Sequence, residues 1–283
     1  VIYHIYCGLL LVDFKHDRNR HSDKFYRWLN EFPVLVLLSP SGGAASYALL
    51  NAAIDQGAVN ALASNGGMLR ANGGKVLMTA QAAGQLFKTV VNNSGVIEAR
   101  TLGNRNGKIM LLGDMDGGTV NVAGTLDASA PDGGNGGFIE TSAATVKIAD
   151  GVRITTEAPL GTNGTWLIDP KDFTIGAAGD ISGATLSAQL VTTNVTISTL
   201  ASAGDGTGGN GDIFVNDAVA WTASGVPTTL TLNALRDVNI NAAITATVVA
   251  RLVAEVCAGA DGMARQKSRD IFTRVIGAGR RGI

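Results

Sequence analysis

The chain has 283 residues, a formal net charge of −1, 37 glycines, 5% aromatic and 16% charged residues. Hydrophobic residues make up 46%, which excludes a disordered chain. The scarcity of charge and aromatics suits flat β faces and small-residue turns, not a helical bundle.

The near-zero net charge hides an uneven distribution. Residues 43–247 carry 10 basic and 16 acidic groups, residues 1–42 carry 5 and 4, and residues 248–283 carry 7 and 3. The middle is mildly acidic and holds no footprint for a nucleic-acid backbone. No apolar run reaches the length needed to span a bilayer. The two cysteines, Cys7 and Cys257, lie one in each flank, so a core between them folds without an oxidant.

Residues 1–42 differ in composition from the rest of the chain. They hold all three histidines (His4, His16, His21), three of the four tyrosines and three of the eight phenylalanines. Residues 24–48 have the cation, apolar and small-residue order of a signal peptide, but Asn30, Glu31 and Pro33 interrupt the apolar part. This leader is expected to lie outside the fold, as sequence read through a frame error would.

From residue 43 the text turns to Ala, Gly, Asn and Val. SYALLN (46–51) and GAVNALA (57–63) read as early rungs of a repeat. The later phrases restart at small residues: GKVLMTA (74–80), SGVIEAR (94–100), GKIMLLGD (107–114), GTVNVAGTLDAS (118–129), GFIETSA (137–143), TVKIADGVRITT (145–156) and GTWLIDP (164–170). Val120-Asn121-Val122, Val146-Lys147-Ile148 and Val152-Arg153-Ile154 alternate strictly, which predicts half-buried strands. QAAGQLFKTVV (81–91) is predicted as a short helix or irregular corner. Gly95, Gly124 and Gly151 recur at 29 and 27 residues, and Gly74, Gly107 and Gly137 at 33 and 30. One interval is one turn of a parallel β-helix, whose turns bury a core only by stacking. An antiparallel sandwich is the competing architecture, although sandwiches rarely repeat their own wording.

Beyond Pro170 the phrases loosen into DFTI (172–175), NVTIS (194–198), GDIFVND (211–217), TLTLNA (229–234) and DVNINAAITAT (237–247). Strand chemistry is predicted to end at Thr247. Val249, Leu252, Val253 and Val256 then take helical spacing, with Arg251 and Glu255 as a favourable pair, so residues 247–257 are predicted as helix. Residues 264–281 are basic and helix-like. A nucleic-acid or membrane-surface arm is one reading of this tail; out-of-frame sequence, foreign to the fold, is the other and the preferred one.

ANGGKVLMTAQAAG (71–84), VVNNSGVIEA (90–99), GTLDASAPDGGNGGFIETSA (124–143) and GTWLIDPKDFTI (164–175) together resemble the passenger of filamentous-haemagglutinin-type adhesins, the exoproteins of bacterial two-partner secretion. ISGATLS (181–187), VNDAVAW (215–221) and LTLNALRDVNINAAITAT (230–247) resemble the next section of the same family. The resemblance covers residues 43–247. It implies an all-β, right-handed parallel β-helix and adhesion to host or bacterial surface glycans or proteins. It also implies secretion to the cell surface of a Gram-negative bacterium through an outer-membrane β-barrel transporter. The family's Asn-Pro-Asn-Gly secretion phrase has only an echo in Ser39-Pro40-Ser41-Gly42, which predicts an internal fragment of a longer adhesin.

Residues 43–247 hold neither His nor Cys, which removes His-assisted and Cys nucleophiles and the usual zinc ligand sets. The enzyme alternative is therefore a glycosidase or lyase using two carboxylates. Asp169 with Asp172, and Asp127 with Glu140, are the pairs to inspect; the competing roles are turn former and solvent-facing strand residue. LGNRNGKI (102–109), GTGGNGD (206–212) and GDMDGG (113–118) imitate a P-loop, a calcium nonapeptide and an EF-hand loop, and each departs from its pattern, so each is expected to be a turn. Sequons at Asn92, Asn163 and Asn194 are no more than chance supplies. Asn92 and Asn93 are expected to stack at a β-helix corner. The resulting expectation is a non-enzymatic adhesin fragment with no catalytic, cofactor-binding or metal-ligating residue.

Overall fold

Each alternating phrase becomes one strand, and each strand pairs in parallel with its counterpart one repeat away. The computed structural model describes residues 62–80, 89–200, 209–247 and 250–256, plus the strands Ile5–Tyr6, Leu9–Leu10, Leu35–Leu38 and Leu49–Ile54. Eight parallel strands form one long sheet: Leu49–Ile54, Lys75–Ala80, Lys108–Leu112, Phe138–Ser142, Thr165–Asp169, Asn194–Ser198, Thr229–Ala234 and Arg251–Val256. A second sheet stacks Leu62–Asn65, Val90–Asn93, Thr119–Val122 and Thr145–Ile148. A third stacks Met68–Arg70, Val96–Glu98, Thr125–Asp127 and Arg153–Thr155. The chain visits the three in rotation, giving a parallel β-solenoid of about six turns. The predicted β-helix is thus the fold, and the sandwich is not.

The core is a set of columns. Val76, Ile109, Ile139, Trp166, Val195 and Leu230 are in register and fully buried. Met78, Leu111, Thr141, Ile168, Ile197 and Leu232 form the parallel column beside them. Thr141 looks misplaced in such company until its partner is seen: the Trp166 indole N–H donates to its Oγ1 at 3.1 Å. Trp221 is satisfied in the same way by Thr228 at 3.1 Å. A buried indole nitrogen needs an acceptor, so each buried tryptophan brings a threonine inside with it.

Asparagines line the corner after the second sheet. Asn65 donates to Asn93 Oδ1 at 2.8 Å and Asn93 to the Gly95 carbonyl at 3.2 Å, all buried. Asn92 belongs to a separate outward stack, accepting from Asn121 Nδ2 at 2.7 Å. In the same corner, one rung on, Gly124 lies so close to Gly95 that a Cβ there would collide with the Gly95 carbonyl. Gly151 does not continue that stack. The register sets Arg153 opposite Thr125, so Val152 occupies the stacked position and Gly151 precedes it in a left-handed turn with φ +78°.

Past Asp169 the shorter sheets are rebuilt from Phe173–Ile175, Ile213–Val215 and Val238–Ile240, and from Val219–Thr222 and Ile244–Thr247. Between Arg153–Thr155 and Val219–Thr222 the chain inserts a helix, Gly183–Gln189, where strand chemistry alone was expected. Its side chains replace the missing strand's backbone. Gln189 accepts from Ile154 N at 2.8 Å and donates to Val152 O at 3.2 Å, while Ser187 Oγ accepts from Ala220 N at 2.9 Å on the other side. Ser182 caps the helix by accepting from Thr185 N at 3.2 Å.

The ends differ from expectation. Residues 251–256 form a strand paired with Thr229–Ala234, not a helix, because Leu252 falls in register under the buried Leu230. Pairing to an existing sheet overrides a helical spacing that would leave those side chains without a partner. The β fold therefore extends past Thr247 to Val256. At the other end Leu35–Leu38, placed in the leader, pairs antiparallel with Leu49–Ile54, and Ile5–Tyr6 pairs with Leu9–Leu10. Of the predicted corner at 81–91, residues 81–88 lie outside the described residues and Val90 and Val91 are in a strand. The basic stretch 264–281 also lies outside them.

Two substitutions test this construction by urea or thermal unfolding. Gly124→Ala should cost about 3 kcal/mol through overpacking, whereas Gly117→Ala, with nothing within 4 Å, should be near neutral. Gln189→Met should cost about 2 to 4 kcal/mol by orphaning two buried backbone groups at once.

Candidate functional site

The register decides which carboxylates meet. Asp127 sits on the third sheet and Glu140 on the long sheet, so that pair is not assembled. Asp127 instead holds Arg100 at 2.8 Å and accepts from Ser129 N at 3.0 Å. Its neighbours extend a ladder of alternating charge: Arg100 to Glu98 at 3.8 Å, and Glu98 to Arg70 at 3.0 Å. Parallel pairing puts Arg70, Glu98 and Asp127 in one column, which is why three such residues repeat at one-turn spacing.

Asp172 has a separate task from Asp169. Its Oδ1 accepts from Asn210 N at 2.9 Å and Asp212 N at 2.8 Å, tying a later loop to the corner after Pro170. Asp212 in turn pairs with Arg236, with Nε to Oδ1 at 2.7 Å and a second contact from Nη2 to Oδ2. The Asp212 hydrogen bond and charge raise the Arg236 guanidinium further, Asp237 and Asp172 adding to it.

Asp169 faces Glu140 instead. Asp169 stands opposite Ser142 on the outward side of the long sheet, and Ser142 Oγ donates to Glu140 Oε1 at 3.0 Å. Asp169 Oδ1 is buried with no hydrogen-bond partner. Burial, and after it the Glu140 charge, pushes the Asp169 carboxyl up to about 6. Such a group exchanges a proton near neutral pH, and a second carboxylate beside it is the minimum for acid–base chemistry on a sugar. Sequence reading missed the pair because it looked along the chain. The usable signal was the 27-residue offset between GFIETSA and GTWLIDP, which sets Ser142 on Asp169. One position past the paired Ile168 and Ile197, and one rung further, Asn233 Oδ1 is also buried and unpartnered.

The other sequence candidates take the following places. Asp114 accepts from Asp116 N at 2.8 Å and from Gly118 N at 2.8 Å, so GDMDGG is a turn. Leu102 and Arg105 bridge each other across a turn in LGNRNGKI. In GTGGNGD, residues 206–208 lie outside the described residues. Asn163 Oδ1 accepts from Ala158 N at 2.9 Å, and Asn194 donates to the Asn163 and Gly164 carbonyls at 2.9 Å. Asp150 accepts from Ser182 and Thr185, both at 2.5 Å, and these bonds hold its carboxyl below the usual range. Among the described residues no group of three or more His, Cys, Asp or Glu could hold a metal ion. None of their helices is long and apolar enough to cross a membrane.

A carboxyl raised in the folded state keeps its proton there after the unfolded chain has lost its own, so stability is lost between the two pKa values. Stability should therefore fall as pH rises from about 4 through about 6 and then level off. Asp169→Asn should lose that fall: near wild type at pH 4, it should be about 1 to 2 kcal/mol more stable at pH 8 after allowing for solvent screening. Urea unfolding across that range measures it. Comparison of the chain with family models, with curated proteins and with solved structures returned no match.

Proposed function

We propose that the chain is part of the shaft of a secreted or cell-surface bacterial adhesin of the filamentous-haemagglutinin type. The observation that carries this reading is the repetition of outward side chains at one-rung spacing along a parallel solenoid, as in the Ser64–Asn92–Asn121–Lys147 column, which is exposed or half-buried throughout. Such faces suit many weak contacts spread over length, whose avidity exceeds any single contact. The wording shared with that family over residues 43–247 supports the same reading. The partners on this account are host-cell or bacterial surface glycans or proteins, with an outer-membrane β-barrel transporter exporting the whole protein.

One observation favours a second reading, a carbohydrate-active β-helix enzyme: Asp169, half-buried on the outward side of the long sheet, is raised by burial and by the charge of Glu140 on the neighbouring strand. Incubation of the full chain with acidic polysaccharides, read as reducing ends or unsaturated products, separates the two. The adhesin reading expects saturable, competable binding of labelled chain to cells or glycans and no turnover. Turnover abolished by both Asp169→Asn and Glu140→Gln, with folding intact by circular dichroism, would establish the enzyme instead.

A further inference from the structure

Among the described residues, the last strand of the long sheet ends the solenoid with its core half open. Leu252 and Ala254 are in register with Leu230 and Leu232, which are fully buried, yet Leu252 is only partly covered and Ala254 is exposed. Val238 and Ile240, in the rung before it, are also only partly buried. Strand edges of this kind invite another strand.

The backbone shows which groups are on offer. Arg251 N donates inward, to Thr228 O at 3.0 Å. Because consecutive residues of a strand point their amides to opposite sides, Arg251, Val253 and Glu255 bond the existing sheet, and Leu252 and Ala254 aim theirs at the open edge. The side chains carry a matching pattern. Arg251, Val253 and Glu255 face outward and are exposed, and neither charged residue enters an ion pair among the described residues.

We propose that this edge is a dimer interface, in which Arg251–Val256 pairs antiparallel with the same strand of a second copy about a twofold axis through Val253. In that register Arg251 lies opposite the copy's Glu255, and Leu252 opposite its Ala254 on the core side. The amides left open at Leu252 and Ala254 then bond each other across the axis. Val253 meets its own copy as a pair without mutual backbone bonds, the closer kind of antiparallel pair. Sliding the copy by two residues either way keeps the apolar face inward but sets Arg251 against Val253, or Val253 against Glu255. Sliding by one turns the core side chains out. Of these registers, one alone is self-complementary in backbone, core and charge together, as a twofold interface requires. The second copy covers Leu252 as Leu252 covers the rung before it.

The test is a charge-swap cycle on the full 283-residue chain, with sedimentation velocity over a range of concentrations. Wild type should be a dimer that dissociates on dilution. Arg251→Glu alone and Glu255→Arg alone should each weaken it roughly tenfold, since each creates two like-charge pairs, and the double swap should restore it. All three variants should keep the wild-type circular dichroism spectrum. In a background of Cys7→Ser and Cys257→Ser, Val253→Cys should give a disulfide-linked dimer on mild oxidation, because its Cα atoms sit about 4.5 Å apart. A monomer at all concentrations, open-ended oligomers, or a double swap no better than the single swaps would overturn the proposal.

Discussion

Every feature of this molecule depends on backbone hydrogen bonding between successive turns in strict register. A strand of three to six residues holds no stability of its own, so each rung exists because the rungs on both sides complete its bonds and cover its apolar face. This constraint explains the composition. Inward positions must be apolar in every turn, as Val76, Ile109, Ile139 and Trp166 are, and corners must be small where two chains nearly touch, as at Gly95 and Gly124. It also explains the tolerated exceptions. A polar residue enters the core only with a fixed partner, whether Thr141 under Trp166 or Gln189 standing in for a peptide group.

Much of this was written in the sequence, because a period of two and a recurring corner are local patterns. The strands Asn194–Ser198 and Thr229–Ala234 coincide with the phrases NVTIS and TLTLNA. What escaped detection depended on contacts between turns. The helix Gly183–Gln189 is short and rich in Thr, Ser and Gly, and its reason for being is the pair of bonds that Gln189 makes to residues 37 and 35 positions away. Residues 251–256 carry helical spacing and strand residues at once, and only the sheet beside them decides the outcome. Gly151 illustrates a register error of one: the repeat was counted on glycine, while the ladder counts backbone pairs.

The same distinction governs the candidate site. Sequence proximity suggested Asp169 with Asp172, yet three residues across a corner place them in different roles, one in a desolvated column and one tying down a loop. Glu140 and Asp169 are far apart in sequence and meet because one turn separates them. In a solenoid, chemistry assembles at one-turn spacing, so a site must be sought down columns of stacked residues. The charged ladder of Arg70, Glu98, Arg100 and Asp127 obeys that rule in a purely structural role.

Each turn is stabilised by its neighbours, and the core opens toward the last described rung. Hydrogen–deuterium exchange read by mass spectrometry tests this most directly. Protection should be greatest for Phe138–Ser142 and Thr165–Asp169, in the middle of the long sheet, and should decline stepwise through Asn194–Ser198 and Thr229–Ala234 to Arg251–Val256. Uniform protection that is lost everywhere in one step, or fast exchange in the central strands, would contradict it.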